Sequence, residues 1–166
     1  ISAYSISPIF NERVDLAFLN ITNYSEDMAV NRQTSVGYRM TFAMNSWEII
    51  KKNLFLGVGT GDFPEEYKKI NMAKTPHMNN ANNPHNMYIL IQVQLGLIGL
   101  MSFLSIFYYQ MKFSLSSSTN FYKYTGLTLP LLFLLIMLSD SYLLGHFTSL
   151  LFIFFSSFLY KKFEEN

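Results

Sequence analysis

The sequence predicts an all-α, integral membrane helical protein in which an extracytoplasmic helical loop region precedes about three transmembrane helices. Half of the residues are hydrophobic and only 14% are charged, whereas roughly 25% are charged in ordinary soluble domains. The charged residues concentrate before residue 87, and the apolar residues concentrate after it. The apolar part also divides into stretches that approach the roughly 20 residues a spanning helix needs.

Composition limits the classes of function. The formal net charge is +1 at pH 7, which gives no general attraction for nucleic acid. The chain contains no cysteine, so it has no disulfide, thiolate metal site or cysteine nucleophile of its own. It begins with Ile1 and shows no signal-peptide pattern. We therefore expect it to be the C-terminal part of a longer membrane protein or a truncated gene product.

Residues 1–86 are predicted to form an extracytoplasmic (periplasmic) loop region with one clear helix, at about residues 35–53. Residues at helical spacing predict one apolar stripe along this helix, formed by Met40, Ala43, Met44, Trp47 and Ile50. Ser35 suits the N-cap position, and a pair of lysines suits the C-terminal end. Residues 1–34 support only a weak helical prediction.

Three alternating glycines, Gly57, Gly59 and Gly61, follow this helix in LGVGTGDF. No GK[ST] follows them, so the stretch is not a Walker motif, and Asp62 stands where a Rossmann fingerprint needs its third glycine. We interpret the glycines as structural, forming a tight turn that lets the loop double back. The acidic residues that follow are interpreted as a solvated helix start beside Pro64 rather than as metal ligands.

The apolar part predicts transmembrane helices at about residues 87–111, 124–138 and 147–160, and a cytoplasmic tail at 161–166. The first helix carries no charge, and tyrosines stand near its ends, where interfacial aromatic residues concentrate. The second contains Pro130, which a spanning helix tolerates when neighbouring groups satisfy the freed carbonyl.

Loop lysines orient these helices. The lysines that flank the predicted spans are Lys112, Lys123, Lys161 and Lys162. The break at residues 139–146 contains no lysine or arginine. The positive-inside rule places the lysine-bearing loops in the cytoplasm, which leaves residues 1–86 on the opposite side of the membrane.

The start of the first span is a candidate for chemistry at the membrane surface. Asn83 and Pro84 predict a helix start with His85 in its first turn. One face of this predicted helix carries His85, Gln92, Gly96 and Gly99. Glycines let another helix approach closely, and a glutamine inside a span faces protein rather than lipid. A helix start favours phosphate, and an imidazole can act as a base or donor near neutral pH. A histidine that only caps a loop is the alternative.

Arg39 is a second candidate, because a guanidinium offers a permanent charge and a planar fork for phosphate oxygens. A solvated surface arginine is the alternative interpretation. Arg13 and Arg32 are weaker candidates by the same reasoning. His77 and His146 are isolated and lack the paired spacing of metal ligands, so no metal site is predicted.

The segments TSVGYRM, LGVGTGDF and HNMYILIQVQLGLIG, with a tryptophan between the first two, resemble the C-terminal part of the O-antigen ligase and polymerase family. The resemblance covers about residues 32–110. It implies that Arg39 is the family's essential extracytoplasmic arginine. It also implies that His85 is the histidine that opens the next span, with Gly96 eleven positions later. Ala43 stands where the family's arginine motif has leucine.

This resemblance implies a multi-span glycosyltransferase that moves a glycan from undecaprenyl pyrophosphate to an outer-leaflet acceptor such as the lipid A core, in lipopolysaccharide biosynthesis. Arg39 would steady the pyrophosphate, and His85 would orient or deprotonate the acceptor hydroxyl. Arg32, Asn86 and Gln92 are candidates for substrate binding. No cofactor, metal or nucleotide sugar is expected. The implied location is the bacterial inner membrane, with the active loop in the periplasm and with membrane lipids, but no nucleic acid, as further partners.

Several alternatives stay open. An O-antigen or exopolysaccharide polymerase, or a protein O-oligosaccharyltransferase, would use the same donor with another acceptor. A non-enzymatic membrane transport or assembly protein would need charged or broken helices at mid-membrane, whereas the polar groups here gather at one surface. A soluble binding domain on an anchor would need a well-packed outer domain, and the Asn-rich stretch at 71–86 argues against one. Because full family members have many more spans, the isolated chain is expected to be inactive.

Overall fold

In a computed structural model of the chain, the described residues are 7–22 and 34–161, and their regular secondary structure is helical throughout. The α-helices are α1 (Pro8–Thr22), α2 (Ser35–Lys52), α3 (Phe63–Lys74), α4 (Met87–Leu115), α5 (Asn120–Ile136) and α6 (His146–Leu159). A 3-10 turn, Tyr142–Leu144, precedes α6. The all-α prediction is confirmed for this part of the chain.

Helix α4 has the length and composition to cross a membrane. Its 29 residues correspond to about 43 Å, more than the roughly 30 Å of a bilayer's hydrocarbon core. Within the described ranges it alone meets this standard, and α6 is apolar but shorter. Helix α5 has 17 residues and α6 has 14, or about 25 and 21 Å. The three-span arrangement therefore stays a prediction.

Helix α2 lies where a helix was predicted, at residues 35–53, and its start differs by one residue. Thr34, rather than Ser35, is the N-cap, because its side-chain oxygen accepts a hydrogen bond from the backbone N–H of Gly37 at 3.0 Å. Such a bond satisfies one of the donors that a helix start leaves unpaired. The chain therefore enters α2 through Thr34.

The face of α2 that packs is not the predicted apolar stripe. Met44 and Trp47 of that stripe are 54% and 56% exposed. The buried residues are Gly37, Thr41, Phe42, Asn45, Ser46, Ile49 and Ile50. Apart from Ile50, the stripe is therefore not the buried face, because hydrogen bonding decides which face of α2 packs. The Asn45 amide donates to the hydroxyls of Tyr67 and Thr75 at 3.2 and 2.8 Å, which turns this polar face inwards.

The Asn-rich stretch after α3 is tied into the same network. Thr75 donates from its hydroxyl to the Asn71 side-chain oxygen at 2.6 Å. The Asn71 amide nitrogen in turn donates to the Met78 carbonyl and to the side-chain oxygen of Asn80, at 2.9 and 3.0 Å. Because buried polar groups stabilise a structure only when they are paired, these contacts hold the stretch against α2 and α3. The region packs more firmly than its composition suggested.

Helix α4 is broken at Gly96, where φ is 64° and ψ is −164°. In an unbroken helix, the N–H groups of Leu97 and Ile98 would donate to the carbonyls of Val93 and Gln94. The break frees these four backbone groups. The prediction of one continuous helical face through Gly96 is therefore wrong.

The loop at residues 53–61, called the 53–61 loop below, hydrogen-bonds to all four freed groups. The two N–H groups donate to the carbonyls of Leu54 and Phe55 at 2.8 and 3.3 Å, and the two carbonyls accept from the N–H groups of Val58 and Gly59 at 2.9 and 3.0 Å. The loop thus replaces two hydrogen bonds of the helix. The segment that approaches the glycine closely is this loop, whereas a helix was expected.

Helices α5 and α6 pack beside α4. The Phe152 ring lies 5.5 Å from the ring of Phe107 in α4 and 4.7 Å from that of Phe133 in α5. The Tyr88 hydroxyl donates to the Leu134 carbonyl at 2.6 Å. Pro130 is buried within α5. These contacts bring the start of α4 beside the end of α5.

Candidate functional site

His85 precedes α4 and is not in its first turn. The N-cap is Asn86, whose side-chain oxygen accepts from the N–H of Ile89 at 3.1 Å. His85 has φ of 53°, a left-handed conformation that is uncommon outside glycine. The Asn83 side chain holds this turn by accepting from the His85 backbone N–H at 2.9 Å. The predicted helix start at Pro84 is wrong, because Asn83 caps this turn instead of a helix.

The His85 ring is fixed by two contacts. Its Nδ1 atom lies 3.1 Å from Oδ1 of Asp140. Its face stacks on the Phe42 ring of α2, with centroids 5.9 Å apart and planes at 25°. The His85 side chain remains 43% exposed. The ring is therefore oriented by a carboxyl group and an aromatic face while staying accessible to a substrate.

Asp140 lies in the polar break after α5 and is held by its neighbour. Its Oδ1 atom also accepts from the backbone N–H of Ser141 at 2.7 Å. The Ser141 hydroxyl donates to the side-chain oxygen of Asn83 at 2.8 Å. Asn83 thus contacts both the histidine backbone and the segment that carries its carboxyl partner.

Two further hydrogen bonds join the same segments. The Asn86 side-chain amide donates to the Leu138 carbonyl at 3.0 Å. The Met87 backbone N–H donates to the Met137 carbonyl at 3.0 Å. Asn86, which was predicted to bind substrate, therefore uses both ends of its side-chain amide to cap α4 and to connect it to the end of α5.

The contact with Asp140 determines what the imidazole can do. An ionised carboxylate only accepts hydrogen bonds, so the Nδ1 atom of His85 carries the proton in this pair. The Nε2 atom is then an acceptor that can orient a hydroxyl or take its proton. Histidine–carboxylate pairs of this kind fix both the tautomer and the ring orientation.

An open cleft of about 440 Å³ lies beside Asp140. It is lined by Asn83, Asp140, Ser141, Tyr142, Leu144, Gly145, His146, Phe147 and Thr148. Clefts of about 300–1,000 Å³ are typical of sites for small molecules. His85 does not line this cleft, which adjoins the His85–Asp140 pair through Asp140.

Arg39 lies on α2, three residues before the Phe42 whose ring stacks on His85. Residues three apart on a helix have Cβ atoms roughly 5–6 Å apart, so the side chains of Arg39 and Phe42 leave α2 about one turn apart. The Arg39 side chain is exposed. In residues 7–22 and 34–161, no side chain forms an ion pair with it. A permanent cation is thus exposed on the helix that carries Phe42.

The sequence profile of the O-antigen ligase family, Wzy_C, matches residues 2–104, more than half of the 166 residues. The chain belongs to the O-antigen ligase family. The resemblance inferred from the sequence is confirmed. Membership indicates a membrane-associated, glycosyltransferase-like enzyme of the O-antigen ligase or polymerase type. No curated protein and no solved structure matches the chain significantly.

The matched region of this O-antigen ligase family member contains the predicted site residues, and the structure separates them into two places. His85 stacks on Phe42, and Arg39 lies about one turn before Phe42 on α2. Gln92 is buried farther along α4, where its Nε2 atom donates to the Leu54 carbonyl at 3.1 Å. The contacts of Gln92 are therefore with the 53–61 loop, and its predicted role in substrate binding stays untested.

The glycines predicted to be structural also lie near the break in α4. Gly57, Gly59 and Gly61 have φ of 71°, 116° and 87°, and Gly96 has φ of 64°. Gly99 is helical and half-buried, one turn beyond the break. Arg32 lies outside the described residues.

Sequence reasoning missed Asp140 and Phe42 as partners of the histidine. Asp140 is the one acidic residue between residues 67 and 163. A lone carboxyl group between two apolar stretches is normally paired, and this signal could have identified it. Phe42 gave no such signal, because an aromatic residue on a helix is usually part of a core.

A carboxylate and two lysines join the ends of α2 and α3. Glu48 accepts from Lys74 at 2.8 Å and from Lys51 at 2.9 Å. The hydrogen bonds from Lys74 and then Lys51 lower the pKa of Glu48 to about 2. Across residues 7–22 and 34–161, no three histidine or acidic side chains are grouped so that they could hold a metal ion.

Proposed function

We propose that this protein transfers a glycan from undecaprenyl pyrophosphate to a hydroxyl group of an outer-leaflet acceptor, the lipid A core. The observation that carries the proposal is the 3.1 Å contact between Nδ1 of His85 and Oδ1 of Asp140. It leaves Nε2 as the acceptor for the hydroxyl proton. The proposed role of the pair is to orient the acceptor hydroxyl and to receive its proton.

The proposed reaction is a displacement at the sugar. The acceptor oxygen forms a bond to the anomeric carbon, the bond from that carbon to the pyrophosphate oxygen breaks, and the hydroxyl proton passes to Nε2 of His85. Undecaprenyl pyrophosphate leaves with the bonding electron pair. Because pyrophosphate is a good leaving group, positioning and charge stabilisation can supply most of the rate. Arg39 is proposed to bind the pyrophosphate oxygens as a planar, charged donor.

The proposed membrane arrangement places residues 1–86 on the periplasmic side, three spans in the inner membrane and residues 161–166 in the cytoplasm. The lysines support this orientation. Lys112 and Lys161 line one cleft of about 920 Å³ at the end of α4 that is remote from His85. A positive cytoplasmic end and a catalytic periplasmic end agree with the positive-inside rule.

Transport is a weaker proposal even though α4 is broken. Broken helices in transporters expose backbone groups and charges to a central cavity. Here the groups freed at Gly96 are paired with the 53–61 loop, and α4 has no charged residue before Lys112. The break therefore supports packing of the loop rather than a binding site at mid-membrane.

The proposal can be tested by producing the full-length protein in a bacterial strain whose O-antigen ligase gene has been deleted. We expect wild type to restore lipopolysaccharide ladders on gels, His85→Ala to abolish them, and His77→Ala to keep them as a matched histidine control. Ladders with His85→Ala would show that the mechanism is wrong. If wild type restores none while present in the membrane, the acceptor is not the lipid A core. Polymerisation of glycan and glycosylation of protein would then be assayed with the same variants.

A further inference from the structure

We infer that the 53–61 loop is a re-entrant segment of the membrane domain, and that its side chains Leu54, Phe55 and Leu56 contact lipid acyl chains. The inference rests on the proposed crossing of the bilayer by α4. It does not depend on the catalytic role of His85.

The hydrogen bonds to α4 set the depth of the loop. Tyr109 and Lys112 mark the cytoplasmic interface of the span, as aromatic and cationic residues do. A core of about 30 Å at 1.5 Å per residue covers about 20 residues and reaches back to about residue 89. Gly96 then lies about 10 Å inside the outer edge of the hydrocarbon region. The loop that bonds to residues 93–98 lies at the same depth.

The polar groups of the loop turn towards protein. Irregular backbone is tolerated at membrane depth only where its hydrogen bonds are made within the protein. The Leu54 carbonyl accepts from both Leu97 and the Gln92 side chain. The Gly57 N–H donates to the Asn53 carbonyl at 3.0 Å. With the bonds to α4 described above, these contacts pair at least one backbone group in six of the nine loop residues with protein.

The apolar side chains of the loop turn outwards. Leu54, Phe55 and Leu56 are 42%, 63% and 75% exposed. Three consecutive exposed hydrophobic residues are unusual on a surface that faces water, and such patches mark contact with membrane or protein. At the depth set by α4, the surrounding medium is acyl chains.

Helix α2 continues this outward apolar surface. Met44 and Trp47 are exposed, while Asn45 and Thr41 face the interior. A helix on the surface of a soluble protein has the opposite arrangement, with its apolar face buried and its polar face exposed. Trp47 precedes the loop by six residues, and tryptophan is enriched at the membrane–water interface. The polar inside and apolar outside of α2 thus agree with immersion of the loop below it.

Single cysteines carrying spin labels test the inference, since the chain has no native cysteine. The test position is Leu56→Cys. The controls are Met101→Cys, exposed on α4 beyond the break, and Met72→Cys, exposed on α3. In vesicles of phosphatidylethanolamine and phosphatidylglycerol, collision rates with oxygen, which partitions into lipid, are compared with those of a water-soluble nickel chelate. We expect oxygen to dominate at positions 56 and 101 and nickel to dominate at 72.

Each other outcome overturns a definite part of the inference. Nickel dominating at 56 with oxygen dominating at 101 would leave the span intact and place the loop in water. Neither reagent reaching 56 would show that protein covers the loop. Nickel dominating at 101 would show that α4 does not cross the membrane there.

Trp47, the single tryptophan, adds a measurement without substitution. Its fluorescence should be quenched by lipids brominated near the headgroup, and quenching by aqueous acrylamide alone would contradict the inference.

Discussion

At the break in α4, Gly57 of the 53–61 loop lies against the backbone of α4, and Gly96 of α4 lies against the backbone of the loop. A Cβ atom on Gly57 would lie 2.4 Å from the carbonyl carbon of Gln94, and a Cβ atom on Gly96 would lie 2.3 Å from that of Phe55. Real Cβ atoms essentially never approach backbone so closely. The two glycines therefore allow two backbones to touch and to exchange hydrogen bonds.

Alanine at either position should be strongly destabilising. A left-handed alanine costs roughly 1–2 kcal/mol, and forced displacement of a packed segment costs roughly 1–3 kcal/mol more. We expect Gly57→Ala and Gly96→Ala to lower the free energy of unfolding by about 2–5 kcal/mol, read as a lower Tm in detergent. Gly61→Ala is the matched control, because Gly61 has φ of 87° but no atom within 4 Å of its added Cβ. Equal losses at all three positions would refute the close contact.

Asp140→Asn should lower kcat by about 10- to 100-fold, as loss of a residue that orients a histidine commonly does. The effect should fall on kcat rather than on KM for the donor, because Asp140 positions His85 and is not assigned a contact with the glycan. The measurement is steady-state transfer from a lipid-linked glycan in detergent. Asp62→Asn, an exposed carboxylate on another turn, is the control and should be neutral.

Asp140→Asn should also change the NMR spectrum of His85. In wild type, ¹⁵N shifts of the His85 imidazole at neutral to alkaline pH should report a proton on Nδ1, since this atom faces the Asp140 carboxylate at 3.1 Å. In Asp140→Asn, the proton should distribute between the two ring nitrogens. An unchanged tautomer would mean that Asp140 supports the fold only.

Arg39→Lys should weaken transfer if Arg39 binds pyrophosphate. Lysine keeps the charge but loses the planar fork, and loss of a charged hydrogen bond costs about 1.5–3 kcal/mol, or roughly 10- to 150-fold. Arg13→Lys, exposed on α1, is the matched control. Full activity in Arg39→Lys would assign the residue to the solvated surface.

Glu48→Gln should change stability in a pH-dependent way. The hydrogen bonds from Lys74 and Lys51 lower the pKa of Glu48 from 4.5 to about 2. A carboxyl group whose pKa is lowered by folding stabilises the folded state above its unfolded pKa, and this contribution disappears as pH falls through the folded pKa. The Tm of Glu48→Gln should therefore be below that of wild type at pH 7, with the difference closing between about pH 4.5 and about 2.

Glu65→Gln is the control for the pH series, because Glu65 is exposed and forms no described ion pair. Its Tm should follow that of wild type at every pH. A constant difference for Glu48→Gln across the series would contradict the role of its charge, since packing losses do not titrate.

The parts of the fold that the sequence predicted are those set by local pattern. The helix at 35–53 and the apolar stretch that forms α4 followed from periodicity and composition, and the choice of His85 and Arg39 as site residues, which stays a prediction, followed from charge and motif. The parts it did not predict depend on partners distant along the chain. Asp140 reaches His85 across 55 positions, and no local pattern encodes that pairing.

The break at Gly96 was missed for a related physical reason. An apolar run containing glycine reads as a continuous helix, because glycine lowers helix stability only by about 1 kcal/mol relative to alanine. The competing hydrogen bonds come from the 53–61 loop, about 40 residues earlier. The packing face of α2 was missed likewise, since Asn45 faces inwards only because Tyr67 and Thr75 bind its amide.

The hydrogen bonds between the 53–61 loop and the break in α4 limit how the two segments can move. If the 53–61 loop withdrew, α4 could pair its four freed groups only by returning Gly96 to a helical conformation, and the four loop groups bonded to them would lose their partners. The four hydrogen bonds thus hold the loop and α4 together. We therefore expect α4 and its loop to move as one rigid body.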